Sequence, residues 1–467
     1  MRVFLFAIIL FLYTSASAQD YYNIKGLFGE KAPGMGGAFT AISDDVSGMY
    51  YNPAGLSFSD KNYISINASS YKMQNVYLKD MFGPQQDYDR ASKNYLPNFI
   101  GIVKAYGNWN FGFSVINSVS ENFDQADQIN LPLFEREITR INATLREENF
   151  EIFGGPSLSY KFSNRFSLGF SFHYLYSSSS NFLHIQQEYE TGSISHVTQQ
   201  EKKKAYAFTP IVGFQYMLID KLSLGLSLRH QKYTTGNYSS RNSVNTSIGM
   251  DNILIISEGN KNFTTSAINQ FVILSSPEIY ELPNLTTIRS GLAYFFSTRF
   301  LLSFDLIYTS SFKKNIFRYD YSAGFYSISN TNKNELYRES TLNYALGTEI
   351  FLSEFIAFRA GFYTNNSNNT KFSWIQGALK MIYEDTAGLD GMHVDSNIFI
   401  KGPGLRDEYV NLKGYTFGLG FYTGGNSISI SYVREVGRGI SAIPVGKLPQ
   451  IVVVNYNSFY LTATSSY

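Results

Sequence analysis

Apolar residues alternate with small polar residues over short stretches along much of this 467-residue chain. In RFSLGFSFHYLY, residues 165–176, every second residue from Phe166 to Tyr176 is apolar, and most residues between them are serine or glycine. The stretch KLSLGLSLRH, residues 221–230, repeats this division. Because successive side chains of a β-strand point to opposite faces, each stretch predicts a strand with one apolar face and one face of small polar groups.

About fourteen segments follow this pattern, and short turns alternate with long polar connections between them. The predicted strands lie near residues 62–72, 96–105, 109–118, 152–162, 166–177, 205–217, 221–232, 286–296, 299–311, 340–352, 355–365, 414–423, 427–436 and 454–467. The long connections lie near residues 73–95, 119–151, 178–204, 233–285, 312–339, 366–413 and 437–453. Short turns at one rim and long loops at the other are typical of outer-membrane barrels.

The composition favours a barrel in lipid over a soluble β-sandwich or propeller. Charged residues make up 16% of the chain and aromatic residues another 16%, whereas soluble domains carry about 25% charged residues. The polar strand faces are too weakly charged for a solvated surface, but they suit a crowded lumen. We therefore predict an all-β fold, a closed antiparallel transmembrane β-barrel of about 14 strands with an N-terminal hatch.

The first residues have the order of a cleaved secretory signal. Arg2 precedes an apolar run from Val3 to Tyr13, and small residues follow up to Ala18. This order predicts a signal peptide over residues 1–18, a hatch over 19–60 and a barrel over 61–467. The chain has no cysteine, which excludes disulfides and thiolate metal sites. Its net charge of +1 gives no electrostatic case for nucleic acid.

One glycine-rich run near the N-terminus stands apart from the strands: APGMGGAFTAISDDVSGMYYNPAGLSF, residues 32–58. It lacks the lysine and spacing of a phosphate-binding loop and the context of a dinucleotide site. Gly34, Gly36 and Gly37 allow positive φ angles and close approach of the backbone. The run is not strand-like and precedes the first strand, so we expect it to fold inside the barrel.

Two polar residues of this run are candidate helix caps. We expect Ser43 to cap a short helix that starts at Asp44 and Asp45, whose carboxylates favour a helix N-terminus. Asn52 precedes Pro53, which favours an extended backbone at Asn52 and a second short turn capped by its side chain. The run therefore predicts two short capped turns.

The same run resembles the N-terminal signature of FadL/TodX-type outer-membrane transporters of hydrophobic compounds. The match comprises Gly34, Met35, Gly36, Gly37, Ala38, Asp44, Asp45, Ser47, Asn52, Pro53, Ala54, Gly55 and Leu56. In that family the run forms the hatch that plugs a fourteen-stranded barrel. The resemblance implies hatch or gate residues at Gly34, Gly36, Gly37, Asp44, Asp45, Asn52, Pro53, Ala54 and Gly55.

The resemblance implies passive uptake of hydrophobic molecules such as long-chain fatty acids or aromatic hydrocarbons. In the family, outer loops capture the ligand, the lumen binds it, and it leaves through a gap in the wall after the hatch shifts. The connection over residues 233–285 carries apolar runs that include Ile253, Ile255, Phe271 and Ile273. These residues either capture ligand or pack together within the loop. The family's gap lies at a kink in the third strand, here near residues 109–118, where Gly112 and Asn117 allow a kink.

Three arginines are candidates for binding a ligand carboxylate. By strand phase Arg229, Arg289 and Arg359 point into the lumen, as do Asp305 and Glu349. A buried carboxylate needs a cation nearby to offset its desolvation. The alternative is that these five residues pair across the lumen and simply fill it.

Other functions have less support in the sequence. We predict no catalytic residues, metal site or cofactor, because the histidines have no evident triad or axial-ligand partners. The main alternative is a structural barrel that serves as a shuttle or anchor in type IX secretion, although the intact NPAGL run favours transport. The expected partners are a hydrophobic ligand, the bilayer with lipopolysaccharide, and the barrel-assembly machinery, for a monomer in the outer membrane.

Overall fold

The fold is known from a computed structural model. The structure describes residues 22–59, 62–80, 87–130, 138–189, 194–247, 254–258, 261–265, 268–274, 278–279, 284–317, 321–323, 326–328, 334–369, 407–442 and 450–467. The predicted signal peptide lies outside these residues. The division of the chain at residues 18 and 60 stays a prediction.

The described residues form 23 strands. Those of the barrel are β1 (Tyr63–Lys79), β2 (Tyr88–Leu96), β3 (Phe99–Tyr106), β4 (Trp109–Asn130), β5 (Ile138–Ser163), β6 (Phe166–Tyr189), β7 (Ile194–Ile219), β8 (Leu222–Ser247), β13 (Leu285–Ser297), β14 (Phe300–Thr309), β19 (Thr341–Phe351), β20 (Ile356–Asn365), β21 (Asp407–Thr423), β22 (Asn426–Ala442) and β23 (Gln450–Ser466). Short strands at the long-loop rim are β9 (Leu254–Glu258), β10 (Lys261–Thr265), β11 (Ile268–Leu274), β12 (Glu278–Ile279), β15 (Phe312–Phe317), β16 (Tyr321–Ala323), β17 (Tyr326–Ile328) and β18 (Asn334–Arg338).

The barrel is closed and antiparallel, with 14 strands when β2 and β3 are counted as one interrupted strand. Each strand pairs with the next along the chain, and β1 pairs with β23 from Tyr63↔Ser466 to Lys79↔Ile451. This last ladder removes the open edges that lipid would not tolerate. The prediction of a closed antiparallel β-barrel of about 14 strands is therefore confirmed.

The outward face of the barrel is an apolar belt. Phe170 of β6, Leu226 of β8 and Phe417 of β21 are 44%, 47% and 52% exposed. Their sequence neighbours on the inward face, such as Ser171 and Ser227, are buried. A continuous exposed apolar belt is stable only against lipid, and it is the face that the period-two pattern predicts.

Several strands run far beyond the predicted boundaries. The connections expected over residues 119–151 and 178–204 lie mostly within β4 to β7. The ladder between β4 and β5 runs from Asn130↔Arg140 towards the short turns, and the ladder between β6 and β7 runs from Glu188↔Ile194 in the same direction. In these extensions polar residues occupy both faces, as in Ser177–Ser180. The predicted connections were therefore wrong in extent, because alternation marks only the part of a strand that has one apolar face.

The described residues before β1, 22–59, are called the N-terminal segment below. They include the helix α1 (Gly48–Tyr51) and a 3₁₀ helix (Pro53–Phe58). The predicted cap at Ser43 is wrong: Ser43 has φ +43° and its hydroxyl donates to Phe39 O at 2.8 Å. The helix begins at Gly48, four residues after the predicted start at Asp44, and Ser47 is its N-cap residue. No helix among the described residues is long and apolar enough to cross a membrane.

Candidate functional site

The N-terminal segment is buried against the inward face of the barrel. Met35, Ala38 and Phe39 are fully buried. Side chains from strands on different sides of the barrel donate to its carbonyls: Asn110 Nδ2 to Leu56 O at 2.6 Å, Ser167 Oγ to Ala54 O at 2.8 Å, and Thr416 Oγ1 to Gly34 O at 2.7 Å. Turns within the segment make backbone hydrogen bonds of their own, such as Gly37 N to Ala32 O at 2.8 Å, and side chains of the barrel satisfy further carbonyls.

Inward-facing glycines create the space that the segment occupies. A Cβ atom on Gly169 of β6 would lie 2.2 Å from Pro53 C, and one on Gly361 of β20 would lie 2.3 Å from Met35 C. Gly213, Gly225 and Gly347 meet the segment in the same way. Glycine is thus required at these positions by the close approach of the segment to the strand backbone.

The Asn52 side chain links distant parts of the N-terminal segment to each other and to the barrel wall. Its Nδ2 donates to Thr40 O at 2.8 Å and to Phe214 O at 3.0 Å. Its Oδ1 accepts from Ala54 N at 3.2 Å and so caps the 3₁₀ helix, with Pro53 in the first turn. The extended backbone and the cap predicted at Asn52 are confirmed.

The glycines of the segment differ in what they provide. Gly36 and Gly37 have φ of +64° and +76°, as expected. Gly34 instead permits close contact, since its Cβ would lie 3.0 Å from Arg359 Cβ. Gly55 packs on Ser43, where a Cβ would lie 2.4 Å from Ser43 Cβ.

Two of the three predicted arginines are buried and paired with carboxylates. Arg359 Nε donates to Glu349 Oε1 at 2.7 Å, and its Nη1 donates to Ser429 Oγ at 2.8 Å. Arg289 Nη2 donates to Gly37 O at 2.8 Å and lies 3.3 Å from Asp305 Oδ2. Desolvated cations in such positions are stable because carboxylates compensate them.

Asp305 of β14 connects Arg289 to the segment. Its Oδ2 accepts from Phe39 N and Thr40 N, both at 3.1 Å, and from Thr40 Oγ1 at 2.5 Å. The sequence placed Asp305 in the lumen but gave no sign of this role. The sequence shows an inward aspartate, but its role as an acceptor follows only once the position of Thr40 is known.

Arg229 of β8 is arranged differently. It is half-buried, its Nη2 donates to Tyr50 O at 2.6 Å, and its guanidinium carbon lies 3.8 Å from the centroid of the Tyr50 ring. Tyr50 in turn stacks on Phe153 with ring centroids 5.7 Å apart. Within the described residues Arg229 makes no ion pair. An arginine beside aromatic rings and without a carboxylate partner is suited to an amphipathic anion.

The acidic pair of the motif lies at the short-turn end of the segment. Asp44 pairs with Lys31 Nζ at 2.8 Å, and Asp45 Oδ1 accepts from Ser47 N at 2.7 Å. A cavity of about 420 Å³ opens there, lined also by Glu30 and by turn residues of β21 and β22. Burial, together with the charge of Asp44, raises the pKa of Asp45 to about 6.

Three of the four predicted capture residues lie in short strands of the long connection. Ile253 lies outside the described residues. Ile255 lies in β9, and Phe271 and Ile273 lie in β11, which pairs with β8. Their side chains are outside what the structure describes, so their role in ligand capture stays a prediction.

The wall has a seam between β2 and β4. The ladder between β3 and β4 runs without interruption from Tyr106↔Trp109 to Phe99↔Ile116, and Gly112 lies within it. Beyond Ile116 the described residues show no ladder between β2 and β4, and β4 shifts register against β5 between Asn117 and Val119. Asn117 N still donates to Asn98 O at 2.9 Å, so the seam begins after Asn117. A lateral gap at this position stays a prediction.

Side chains bridge this seam in place of backbone bonds. Asn122 N of β4 donates to Asn94 Oδ1 of β2 at 2.7 Å, and Tyr88 Oη of β2 donates to Asp127 Oδ2 of β4 at 3.0 Å. Arg90 of β2 pairs with the buried Glu147 of β5. A wall held by side chains opens at lower cost than one held by a continuous ladder.

One serine and histidine contact lies on the inward face. Ser114 Oγ lies 3.1 Å from His173 Nε2, and both residues are fully buried. Among the described residues His173 Nδ1 has no hydrogen-bond partner, so the pair lacks the acid of a triad. The described residues also hold no group of three or more potential metal ligands.

Comparisons with solved structures support the same fold. The Pseudomonas putida toluene transporter TodX matches with a TM-score of 0.58 at 12% identity, covering 95% of this chain and 99% of that one. A Pseudomonas aeruginosa FadL homologue gives 0.56 at 12% identity with the same coverage. The Ralstonia pickettii toluene transporter TbuX gives 0.54 at 11% identity, again covering 95% and 99%.

Sequence comparison identifies the family. No curated protein matches the sequence significantly. The family model described as outer membrane protein transport protein (OMPP1/FadL/TodX) matches residues 14–372, about three quarters of the chain. The protein therefore belongs to the OMPP1/FadL/TodX family of outer membrane transport proteins.

Proposed function

We propose that this outer-membrane barrel is a passive channel for hydrophobic small molecules and that its N-terminal segment is the hatch. The observation that carries the proposal is the fit of residues 22–59 to the inward face, where glycines leave room and side chains bind the segment's carbonyls. Individual hydrogen bonds to side chains break more easily than a continuous ladder. A segment held in this way can shift without unfolding the barrel.

The ligand site in the lumen is proposed at Arg229. Arg289 and Arg359 already have carboxylate partners, so neither is free to bind a second carboxylate without breaking a buried pair. Arg229 has a half-buried guanidinium next to the rings of Tyr50 and Phe153. A fatty acid would place its carboxylate at Arg229, whereas an aromatic hydrocarbon would use the rings alone.

Capture and release complete the proposed route. Apolar residues of the long outer connection, among them Ile253, Ile255, Phe271 and Ile273, would collect ligand from outside. Lateral release is proposed at the seam between β2 and β4, where side chains replace the ladder. Movement of Tyr50, which both contacts Arg229 and belongs to the hatch, would couple ligand binding to the hatch.

Uptake of labelled long-chain fatty acid by cells tests this function. Deletion of the gene should lower uptake, and Arg229→Gln should lower fatty acid uptake while toluene uptake is retained. Arg146→Gln is the matched control, because Arg146 is exposed and paired with Asp124 on the outside. Unchanged uptake of both compounds in the deletion strain, with loss of surface secretion of other proteins, would instead establish the type IX shuttle.

A further inference from the structure

Three cations form a compact patch on the outer wall of the barrel. Lys413 of β21 and Arg434 and Arg438 of β22 are all exposed and share the outward phase with lipid-facing residues such as Phe417 and Ile430. We call them the basic triad. Because Lys413 pairs with Val436, it lies diagonally between Arg434 and Arg438. Diagonal neighbours on one sheet face are roughly 7–8 Å apart, within reach of these long side chains.

Within the part of the wall that the structure describes, the basic triad has no neutralising partner on its own face. Outward positions from Tyr409 to Phe421 and from Ile428 to Ile440 include no acidic residue, and Asp407, the next outward position of β21, pairs with Ala442, four residues along β22 from Arg438. Glu435, the one acid of β22, has the inward phase and lies 3.5 Å from Asn365 Nδ2. Among the described residues none of the three cations makes an ion pair, whereas outward Arg146 pairs with Asp124 at 3.0 Å. Three adjacent like charges repel one another unless an anion joins them.

The height of the basic triad on the wall identifies the anion. The triad follows the apolar belt at the end away from the turn between Thr423 and Asn426, which is at the short-turn rim. Tyr415 and Tyr432 lie at the same level, where aromatic residues mark the interface of the bilayer. This rim carries the long loops and faces outside, so the groups beside the triad are headgroups of the outer leaflet.

We propose that the basic triad binds phosphate groups of lipopolysaccharide in the outer leaflet. Arginine forms paired charge-assisted hydrogen bonds with phosphate, and lysine adds a point charge. Asn411 and Asn457, outward neighbours of Arg438 and Arg434 in the ladder, supply further polar groups for a sugar headgroup. The proposal concerns the lipid around the barrel and does not depend on which molecule crosses it.

The test measures binding of bis-phosphorylated lipid A and of its dephosphorylated form to the purified full-length protein in detergent. The wild type should prefer the phosphorylated lipid, and the preference should weaken with salt. The variant K413Q/R434Q/R438Q should lose one bound phosphorylated lipid in native mass spectrometry. The number of bound lipids must be counted, because Lys202, Lys204 and Lys232 on β7 and β8 are also exposed and offer a separate basic surface to phosphate.

The matched control removes the same charge at the opposite rim. Lys104, Lys221 and Arg299 are exposed near the short turns, and K104Q/K221Q/R299Q should retain the wild-type count. Single variants R434Q and R438Q should each weaken binding roughly fivefold, so the test does not rely on the triple variant alone. Heat-modifiable migration on gels identifies folded variants. An unchanged lipid count in a folded triple variant, or equal binding of both lipids by the wild type, would overturn the proposal.

Discussion

Gly169 of β6 and Pro53 of the N-terminal segment are so close that no other residue fits at position 169. A Cβ atom there would lie 2.2 Å from Pro53 C and 2.3 Å from Ala54 N. Both contacts are with backbone, which cannot rotate away as a side chain can. A substitution at position 169 therefore tests how the N-terminal segment is placed without changing the segment itself.

Substitution of Gly169 by valine should displace the N-terminal segment from β6. The branched side chain would overlap the backbone of Pro53 and break the bond from Ser167 Oγ to Ala54 O. We expect higher ion conductance than the wild type in planar bilayers, because the lumen loses its plug. Ser290→Val is the control, since Ser290 is exposed on the outward face. Equal conductance of both folded variants and the wild type would show that the segment does not obstruct the pore.

Substitution of Asp305 by alanine should release the central part of the N-terminal segment. Three donors from Phe39 and Thr40 would lose their acceptor, and Arg289 would stay buried without its carboxylate. Breaking a buried ion pair costs about 3–5 kcal/mol. We expect faster cleavage by trypsin after Lys31 in the variant.

The exposed pair Arg165–Asp220 provides the comparison for Asp305. Arg165 Nη2 lies 2.8 Å from Asp220 Oδ1, but the two side chains are 55% and 87% exposed. Asp220→Asn should therefore cost less than about 1 kcal/mol and leave cleavage unchanged. Similar protection of Lys31 in both variants would contradict the anchoring role of Asp305.

At Asn52, aspartate should be more damaging than alanine although it has nearly the same shape. Alanine leaves Thr40 O and Phe214 O without their donor, at about 1–3 kcal/mol. Aspartate would place a buried carboxylate against the same two carbonyl oxygens, which costs more. Hydrogen exchange at the Ala54 amide should accelerate in the order wild type, alanine, aspartate. Asn164→Ala, in an exposed turn, serves as control. The reverse order for alanine and aspartate would show that the cap, and not the donated bonds, matters most.

The sequence predicts the barrel well because lipid outside and a packed lumen inside impose opposite demands on successive residues. Phe170 and Gly169 show both demands side by side. The extensions of β4 to β7 escape prediction, since polar residues on both faces, as at Ser178 and Ser179, look the same in a loop and in a strand beyond the membrane.

The lumen was harder to predict because its contacts join residues far apart in the chain. Strand phase correctly places Arg289 and Arg359 inward, but their partners include Gly37 and Glu30 of the N-terminal segment. Local rules also fail at Ser43, where a positive φ and a bond to Phe39 O replace the expected cap. Asn52 was predictable because its cap involves only its immediate neighbours.

Docking of the N-terminal segment at its short-turn end should depend on pH through Asp45. The pKa of Asp45 is about 6 in the docked segment, above the ordinary aspartate value of 3.8, so the docked state holds this proton more tightly than the released segment does. Docking should therefore be strongest below about pH 4, weaken as pH rises towards 6, and level off above it. Hydrogen exchange of residues 29–47 between pH 4 and pH 8, corrected for intrinsic rates, measures this. Asp45→Asn should remove the dependence while its remaining oxygen still accepts from Ser47 N. A dependence of the same size in this variant would assign it to another group.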